Sequence, residues 1–514
     1  MAEEGEEPEA SSGPEEPGEP GAAPAAAGKF LRVEGVPWPL LPCEASLAPQ
    51  LRALALAAAP EAEAAAELQL LRAHPFVEAK GRPGGGPPLD LGGGLGLCTE
   101  EHFRLRLAAF AKWLKQPEGA GFRREAGGPS DDGIYTVSAV LRRCMPRGLS
   151  RFSFAAARHE EVLVRGFRKF TGLVAEDEDE ASGATGKYED FYYAPGAEAA
   201  RFTVTTKSNG ENGKLAVRRV AGQQLLFAGS KNTCLAWRAE QDVRELHPPQ
   251  HGDEGAVPGP LIAAWAQRFW LGWAPEVQGR FAERAGGAGW TLMLEHNCAQ
   301  HEHVFPIAED FVEFVAVLDR RGLPLPQREA FAFFDEFQLP RVRCDAELPM
   351  ASLPERLAAE RGAVDREGAV LYLEAADGAP VGLLKVKSAF YVRARRTRQT
   401  LWSAVVDPLL RGQALDGGAP SGGKARRRGA GVGWEAAEKR LRTGMKALTH
   451  VEGCAEHGEE WASVAVGFLH WWRAAHEALG SAAERMAHAR AAKDKFGSVY
   501  RDYCRQAGLP GGGN

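Results

Sequence analysis

The sequence predicts an α+β fold, in which an antiparallel-sheet core is flanked by helical N- and C-terminal regions. Short β-rich runs such as RFTVTTK, TLMLE and GAVLYLE are separated by Gly, Asn and Asp turns over residues 151–400, a pattern typical of strands. Few long helical stretches separate these runs, whereas a doubly wound parallel sheet needs a helix between successive strands. Helical periodicity marks the segments on either side of this region.

Composition divides the 514 residues into four parts. Residues 1–28 are mainly Glu, Pro, Gly and Ala, and we predict a disordered acidic tail because such a segment cannot offset its ordering entropy. Residues 29–150 are predicted to be mostly helical, residues 151–400 to form the α+β domain, and residues 401–514 to form a helical C-terminal domain. A chain of this length is too long for a single core.

The clearest helical segments of the second part are residues 47–73 and 100–116, with a Gly/Pro loop at 82–96 between them. A Gly-rich basic loop at 416–431 interrupts the C-terminal helices. Within it, Gly418–Lys424 has the spacing of a phosphate-binding loop, but Ala425 replaces the expected Ser or Thr and no strand precedes it. A flexible basic loop is therefore predicted there.

Net charge and cysteine content exclude several classes of protein and indicate a cellular compartment. The net charge of -6 and pI near 6.2 give no global basic signature, so any nucleic-acid surface must be a local patch. The eight cysteines include no C-x-x-C pair, which excludes a disulfide framework and a ribbon-type zinc site and favours a reducing compartment. The cytosol or the nucleus follows, and an organelle is not excluded. No apolar run approaches the ~18 residues of a membrane span, so no membrane association is predicted.

Lys207 carries the functional prediction. It ends a predicted strand and is followed by a turn at Asn209 and Gly210, residues that tolerate positive φ. Alone, this pattern also fits a surface hairpin with a solvated lysine. Other polar residues stand at strand ends on both sides of it: Arg165 in VLVRGFRKF, Lys231 in Ser-Lys-Asn, Glu295 in TLMLE, Glu367 before GAVLYLE, and Lys385 and Lys387 in VGLLKVK.

This order of motifs resembles the covalent nucleotidyltransferase superfamily of ligases and capping enzymes, with motif I at 207–210, motif IV at 367–370 and motif V at 385–387. Asn209, the RGFxKF-like segment and the continuation KVKSAFYVRARRTRQ are similar to RNA ligases of the phage and fungal tRNA-ligase type. The match covers roughly residues 151–400. It implies an antiparallel-sheet nucleotidyltransferase domain, described as ATP-grasp-like, and an ATP-dependent RNA ligase with ATP and Mg²⁺ as cofactors.

The resemblance also implies roles for individual residues. Lys207 attacks ATP and carries AMP, which passes to an RNA 5′-phosphate and is displaced by a 3′-OH. A nucleophilic lysine must be uncharged, and neighbouring cations together with burial lower its pKa. Lys385 and Lys387 point the same way along a strand, so they supply this potential and hold the α-phosphate. Glu367 helps to hold Mg²⁺.

Nucleotide contacts are expected from Asn209, Gly210, Arg165, Lys231 and Glu295. An aromatic residue of FVEFVAVL, most plausibly Phe314, stacks on the adenine, although a core phenylalanine fits that strand equally well. The partner implied is RNA, with tRNA as one candidate, and no protein partner is indicated.

Several alternatives stay open from the sequence. A capping guanylyltransferase shares these motifs but should carry a β-barrel after motif V, as should a DNA ligase. A catalytically inactive RNA-binding protein on the same fold is the third alternative. The cluster His296, Cys298, His301 and His303 could ligate zinc, or could simply form the polar loop after the strand that ends at Glu295.

Overall fold

The structure is a computed structural model that describes residues 29–82, 87–172, 188–247, 258–364, 366–413, 415, 432–448 and 457–512. The predicted acidic tail, the EDEDE run at 176–180 and the predicted basic loop at 416–431 lie outside these residues. Among the helices described, none is long and apolar enough to cross a bilayer.

The strands run in chain order as β1 Val77–Lys80, β2 Leu89–Asp90, β3 Leu97–Leu105, β4 Ser150–Phe154, β5 Ala157–Val164, β6 Arg201–Thr206, β7 Glu211–Val220, β8 Gln223–Ser230, β9 Cys234–Arg238, β10 Thr291–Asn297, β11 Phe311–Leu318, β12 Cys344–Pro349, β13 Gly368–Glu374 and β14 Pro380–Lys387.

The α-helices are α1 Ala48–Leu56, α2 Pro60–Ala73, α3 Leu107–Trp113, α4 Pro117–Ala120, α5 Arg123–Ala126, α6 Asp131–Val137, α7 Ala139–Cys144, α8 Val243–Leu246, α9 Pro258–Leu271, α10 Pro275–Phe281, α11 Gln327–Glu336, α12 Leu353–Arg361, α13 Ala389–Leu401, α14 Asp407–Leu410, α15 Trp434–Ala447, α16 Gly458–Glu477, α17 Ala482–Asp494 and α18 Phe496–Gln506.

The strands form antiparallel sheets, so the fold is α+β as predicted. The N-terminal sheet has the order β1-β3-β4-β5, with β2 also paired to β3. The central sheet has the order β11-β10-β7-β8-β9. The sheet that leads into Lys207, here called the lysine sheet, has the order β12-β6-β13-β14.

The central sheet is covered on both faces. Helices α9, α10 and α11 pack on one face through residues such as Ile262, Phe281 and Phe334. The other face meets the N-terminal sheet at one end, where the rings of Phe152 and Phe227 lie 4.8 Å apart. Its remaining part meets the lysine sheet through a small apolar cluster. A cleft therefore forms where the central sheet and the lysine sheet face each other.

The N-terminal region differs from its prediction. The 47–73 segment forms α1 and α2, but the first half of the 100–116 segment belongs to strand β3 rather than to a helix. Glu100 and His102 of β3 are buried, and His102 Nδ1 lies 3.0 Å from Ser150 Oγ of the neighbouring strand. Because these inward side chains are polar, the strand shows no apolar alternation. The predicted boundary at 150 also falls inside the N-terminal sheet.

The C-terminal region is helical, and it begins directly after the lysine sheet. The Ser388 hydroxyl caps α13 by accepting from the Tyr391 amide, which fits the preference for serine at this position. Side chains of α13 pack in one core with those of α15, α16 and α18. The predicted boundary at 400 thus falls inside α13, and the helical unit starts at Ala389.

Glu302 joins this helical unit to the central sheet. It is buried on the loop after β10, and its carboxylate accepts from the Ser498 amide at 2.8 Å and from the Ser498 hydroxyl at 3.0 Å. Lys495 lies 3.5 Å from the same carboxylate. A negative group at the first turn of α18 also interacts favourably with the positive end of the helix.

We expect Glu302→Ala to weaken this junction by about 2 kcal/mol, because a helix-end donor then lacks a partner. Amides in the first turn of α18 should exchange with solvent roughly 30-fold faster. Hydrogen exchange measured by mass spectrometry or NMR tests this, with Glu309→Ala, an exposed change near the same loop, as the control. Equal exchange in the two variants would mean that Glu302 does not hold the junction.

Candidate active site

Strand register brings motifs I, IV and V to one end of the lysine sheet. Lys207 follows β6, and its amide donates to the Gly368 carbonyl at the start of β13. Gly368 in turn pairs with Lys387 at the end of β14, and Val370 pairs with Lys385. Lys207, Glu367, Lys385 and Lys387 are therefore gathered on adjacent strands, although they are up to 180 residues apart in sequence.

The Lys207 amine is paired with a carboxylate. Its Nζ lies 2.7 Å from Glu367 Oε1, and the Glu367 side chain is almost completely buried. Burial alone favours the neutral amine, but the charges of Glu367 and Glu295 and the hydrogen bond to Glu367 outweigh it and raise the pKa of Lys207. The pKa of Lys207 is therefore shifted in the direction opposite to the expectation that the surrounding lysines hold this amine uncharged.

Glu295 faces this pair from the central sheet, where it lies in register with Asn212 of β7 and Glu313 of β11. Burial raises the pKa of Glu295 to about 8, with Lys207 opposing the shift and Glu367 adding to it. Two carboxyl groups thus face one ammonium in a poorly solvated cleft.

The turn after Lys207 is fixed to the central sheet. The Ser208 hydroxyl lies 2.7 Å from Glu313 Oε2 and 3.0 Å from Asn297 Nδ2. A Cβ atom on Gly210 would come 2.6 Å from the His296 carbonyl oxygen, so only glycine fits this close approach. Neither Asn209 nor Gly210 has positive φ, and the predicted reason for the Asn-Gly pair is wrong.

Polar atoms without partners flank Lys207 in the sequence. Both amide atoms of Asn209 and the hydroxyl of Thr206 are buried and make no hydrogen bond with the described residues. Buried polar groups are paired in the great majority of cases, and an exception needs an explanation. A polar ligand is one partner that would satisfy them.

Lys385 and Lys387 are buried at the strand end beside this pair. The Lys385 amide donates to the Thr171 carbonyl, which extends the lysine sheet with the segment that follows RGFRKF. Lys387 Nζ lies 5.9 Å from the centre of the Tyr391 ring on α13. Arg395 of α13 acts on the charge of Lys207, so the C-terminal helices contribute a cation to the cleft.

Phe314 does not reach the cleft, and the prediction that it stacks on adenine is wrong. Its ring is completely buried on the helix-covered face of the central sheet, 6.0 Å from Trp265 and 5.5 Å from Phe334. Adjacent side chains in a strand point to opposite faces. Glu313 and Val315 therefore face the lysine sheet, where Val315 packs in the apolar cluster between the sheets.

Arg165 and Lys231 are placed away from Lys207. Arg165 Nη1 lies 2.6 Å from Glu67 on α2, and its Nε donates to the Arg320 carbonyl. Lys231 Nζ pairs with Asp131 on α6 at 2.9 Å. Both predicted nucleotide contacts instead tie the sheets to the N-terminal helices.

Sequence reasoning missed Glu313 and Asn297 as supports of the motif I turn. Glu313 is a charged residue inside an otherwise apolar strand, FVEFVAVL, which is a usable signal for a polar cleft. Asn297 and Thr206 carry no such signal, since short polar residues at strand ends are common.

The carboxyl groups of Glu295 and Glu367 fit a divalent cation that is also bound by phosphate oxygens of a ligand. Glu367 and Glu295 are both close enough to act on the charge of Lys207, and Mg²⁺ binds one or two carboxylates together with phosphate and water oxygens. Within the described residues no three His, Cys, Asp or Glu side chains cluster as metal ligands. The alternative of a zinc site at His296, Cys298, His301 and His303 therefore has no support.

No protein-family model matches the chain, and no curated protein matches it. Solved structures with a similar fold are two forms of an archaeal ATP-dependent RNA ligase, each 15% identical. They cover 64% and 62% of this chain and 70% and 67% of that chain, with TM-scores of 0.36 and 0.33. A variant of the RNA ligase of Naegleria gruberi, solved with ATP and Mn, is 15% identical over 38% of this chain and 51% of that chain, with a TM-score of 0.27. This chain thus matches about half of the Naegleria protein.

Burial of Glu295 gives the stability of the protein a pH dependence. The pKa of Glu295 in the folded protein is about 8, above the value of about 4.3 for an unfolded glutamate. The folded state therefore holds a proton that the unfolded state loses, and stability falls as the pH rises between these values. Glu295→Gln removes this loss, so its melting temperature relative to wild type should rise from about pH 5 to about pH 8.

Thermal unfolding across this range measures the effect. Glu309→Gln is the matched control, because its side chain is exposed, and its melting curve should stay parallel to wild type. Lys207 does not interfere, since its raised pKa lies above this window. Parallel curves for Glu295→Gln would show that the pKa of Glu295 is not raised in the folded protein.

Proposed function

We propose that this protein is an ATP-dependent RNA ligase that joins RNA 5′-phosphate and 3′-OH ends through AMP held on Lys207. The observation that carries the proposal is the Lys207–Glu367 pair, placed by strand register beside Lys385 and Lys387. The buried, unpartnered amide of Asn209, two residues after Lys207, also supports a polar ligand. A lysine, a carboxylate and two further lysines are the groups that phosphoryl chemistry on a lysine needs.

The first step forms a phosphoramidate on Lys207. The Lys207 ammonium first loses its proton to solvent water; the free amine then attacks the α-phosphorus of ATP. A P–N bond forms, the bond from the α-phosphorus to the bridging oxygen breaks, and pyrophosphate leaves. The hydrogen bond from Nζ to Glu367 fixes the direction of the amine before the attack, which lowers the entropic part of the barrier.

Lys385 and Lys387 stabilise the charge that develops on the α-phosphate. Both lie on β14 two residues apart, so their side chains leave the same face of the strand. Fixed cations in a buried site stabilise such charge more strongly than they would in water. Glu367 and Glu295 would hold Mg²⁺, which supplies positive charge to the phosphates and weakens the hold of these carboxylates on the Lys207 proton.

Base binding is assigned to the apolar cluster between the two sheets. Phe170, Val315 and Val370 are partly exposed members of this cluster, whose buried floor includes Tyr372. Aromatic and aliphatic surfaces of this kind bind the faces of purines. Val315 and Val370 come from opposite sheets, so a base between them would contact both sides of the cleft.

In the second step AMP passes from Lys207 to the RNA 5′-phosphate, and in the third a 3′-OH displaces AMP to leave a phosphodiester. The region after β14 favours RNA ligation over capping or DNA ligation. From Ala389 onward the described residues form helices packed around one core, whereas those enzymes are expected to carry a β-barrel there. tRNA and other broken RNAs remain candidate substrates.

We expect α-labelled ATP to label the wild-type protein and Lys207→Ala to abolish this label. The nucleophile itself is missing in that variant, so no P–N bond can form. Lys385→Ala should slow labelling roughly 10²-fold because one charge-stabilising group is lost. Lys112→Ala, an exposed lysine on α3, should label like wild type.

The choice of nucleotide and substrate separates the alternatives. Label from GTP and not from ATP would indicate a capping enzyme, and no label from either would indicate a catalytically inactive protein. Sealing is then measured on RNA with 5′-phosphate and 3′-OH ends and on nicked duplex DNA. Sealing of DNA alone would contradict the proposal.

A further inference from the structure

A second cavity of about 1080 Å³ lies outside the cleft of Lys207. It is bounded by α2 and α7 of the N-terminal region, by β5, by the far end of β7 and by the loop after β11. Seven of its lining residues are arginines. Arg165 and Arg321 are paired with Glu67 and Glu63, respectively.

The remaining arginines have no carboxylate partner among the described residues. They are Arg143, Arg168, Arg218, Arg219 and Arg320. Arg168 instead lies 5.8 Å from the centre of the Tyr193 ring, and Arg218 donates to backbone carbonyls of Gly289 and Trp290. Burial lowers the pKa of Arg143, and nearby Arg168 adds to this shift. These cations are partly desolvated and close together.

The lining contains six glutamates, one fewer than the arginines. Glu161 is occupied by Arg151, on the neighbouring strand β4, and Glu160 accepts from the Ala221 amide. Glu61 and Glu283 complete the acidic lining. Arginines therefore outnumber the available carboxylates, and the guanidinium group is the side chain best suited to binding phosphate.

The RGFRKF segment separates this cavity from the cleft. Arg165 and Arg168 line the cavity, whereas Phe167 and Phe170 belong to the apolar cluster between the two sheets. The carbonyl of Thr171, at the end of the segment, accepts from the Lys385 amide. One short stretch of chain thus presents cations on one side and reaches the strand of Lys385 and Lys387 on the other.

We propose that this cavity binds backbone phosphates of the RNA substrate at a distance from the reacting end. The inference rests on the proposed function, which supplies RNA as the ligand. The cavity is larger than one phosphate needs, and its cations come from several separate elements, as an extended polyanion requires. Trp38, half-buried in the lining, offers a ring on which an unpaired base can stack.

Binding of a 5′-phosphorylated single-stranded RNA of roughly 20 nucleotides, followed by fluorescence anisotropy over a salt series, tests the proposal. Arg143→Gln combined with Arg168→Gln should raise the Kd roughly tenfold near 0.1 M salt and reduce the slope of log K against log salt by about 1.4. Arg143→Lys combined with Arg168→Lys keeps the charges and should keep the slope. Labelling by ATP should stay at the wild-type level in both.

The matched control is Arg244→Gln combined with Arg328→Gln, two exposed arginines outside the cavity. If the Arg143 and Arg168 glutamine variant binds RNA like this control, the cavity proposal is overturned. Arg219 is exposed, so Arg219→Gln decides the question if the double variant does not fold, with an expected slope change of about 0.7. Normal binding by that variant would then reject the proposal.

The two proposals fail in different ways. If the wild type is not labelled by ATP but its RNA binding depends on Arg143 and Arg168, the ligase proposal is contradicted and the RNA site is supported. Normal labelling by ATP, together with RNA binding that does not depend on these arginines, would support the ligase proposal and contradict the RNA site.

Discussion

The site depends on one ammonium group that lies between two carboxylates. Lys207 forms an ion pair with Glu367 on its own sheet and interacts electrostatically with Glu295 on the facing sheet. The interaction therefore spans the cleft. Burial raises the pKa of Glu295, with Glu367 adding to the shift and Lys207 opposing it. The charges of Glu367 and Glu295 in turn raise the pKa of Lys207 against the effect of burial. The charge of Lys207 therefore depends on carboxyl groups from both sheets, in a poorly solvated space where an additional cation would relieve the cost of burying them.

The backbone keeps this interaction in place by two kinds of contact. Antiparallel register in the lysine sheet sets Lys207 beside Gly368, and Gly368 beside Lys387. Across the cleft, Ser208 contacts Glu313 and Gly210 approaches the His296 backbone too closely for any side chain. Lys207 is thus held from both sheets, and a shift of either sheet would change its distance to Glu295. Helix α13 starts one residue after Ser388, so the C-terminal unit is connected to the same strand end.

The sequence predicts the parts of this site that depend on local pattern. Strand ends marked by Lys207, Glu367 and Lys385 could be located because apolar runs precede or follow them, and motif order suggested that they meet. The sequence places Phe314 on the wrong face, because one strand has two faces and the aromatic residue alone does not say which face is the core. The pattern of residues 100–105 predicts a helix although they belong to β3, because the buried residues Glu100 and His102 are polar. In each case the deciding fact is a contact with a distant part of the chain.

The roles of Arg165 and Lys231 likewise depend on charges that are distant in the sequence. Both stand near the motifs in sequence, yet each pairs with an acid of the N-terminal helices, Glu67 and Asp131. Those partners lie about 100 residues upstream, where no local pattern links them to the nucleotide motifs. The N-terminal helices are therefore tied by ion pairs to two separate segments of the sheet-forming region. Arg168 stands in the same segment as Phe167 and Phe170, yet it lines the cavity beside the N-terminal helices while the two rings belong to the cluster between the sheets. The alternation of side chains along this short segment thus separates the arginine cavity from the cleft of Lys207.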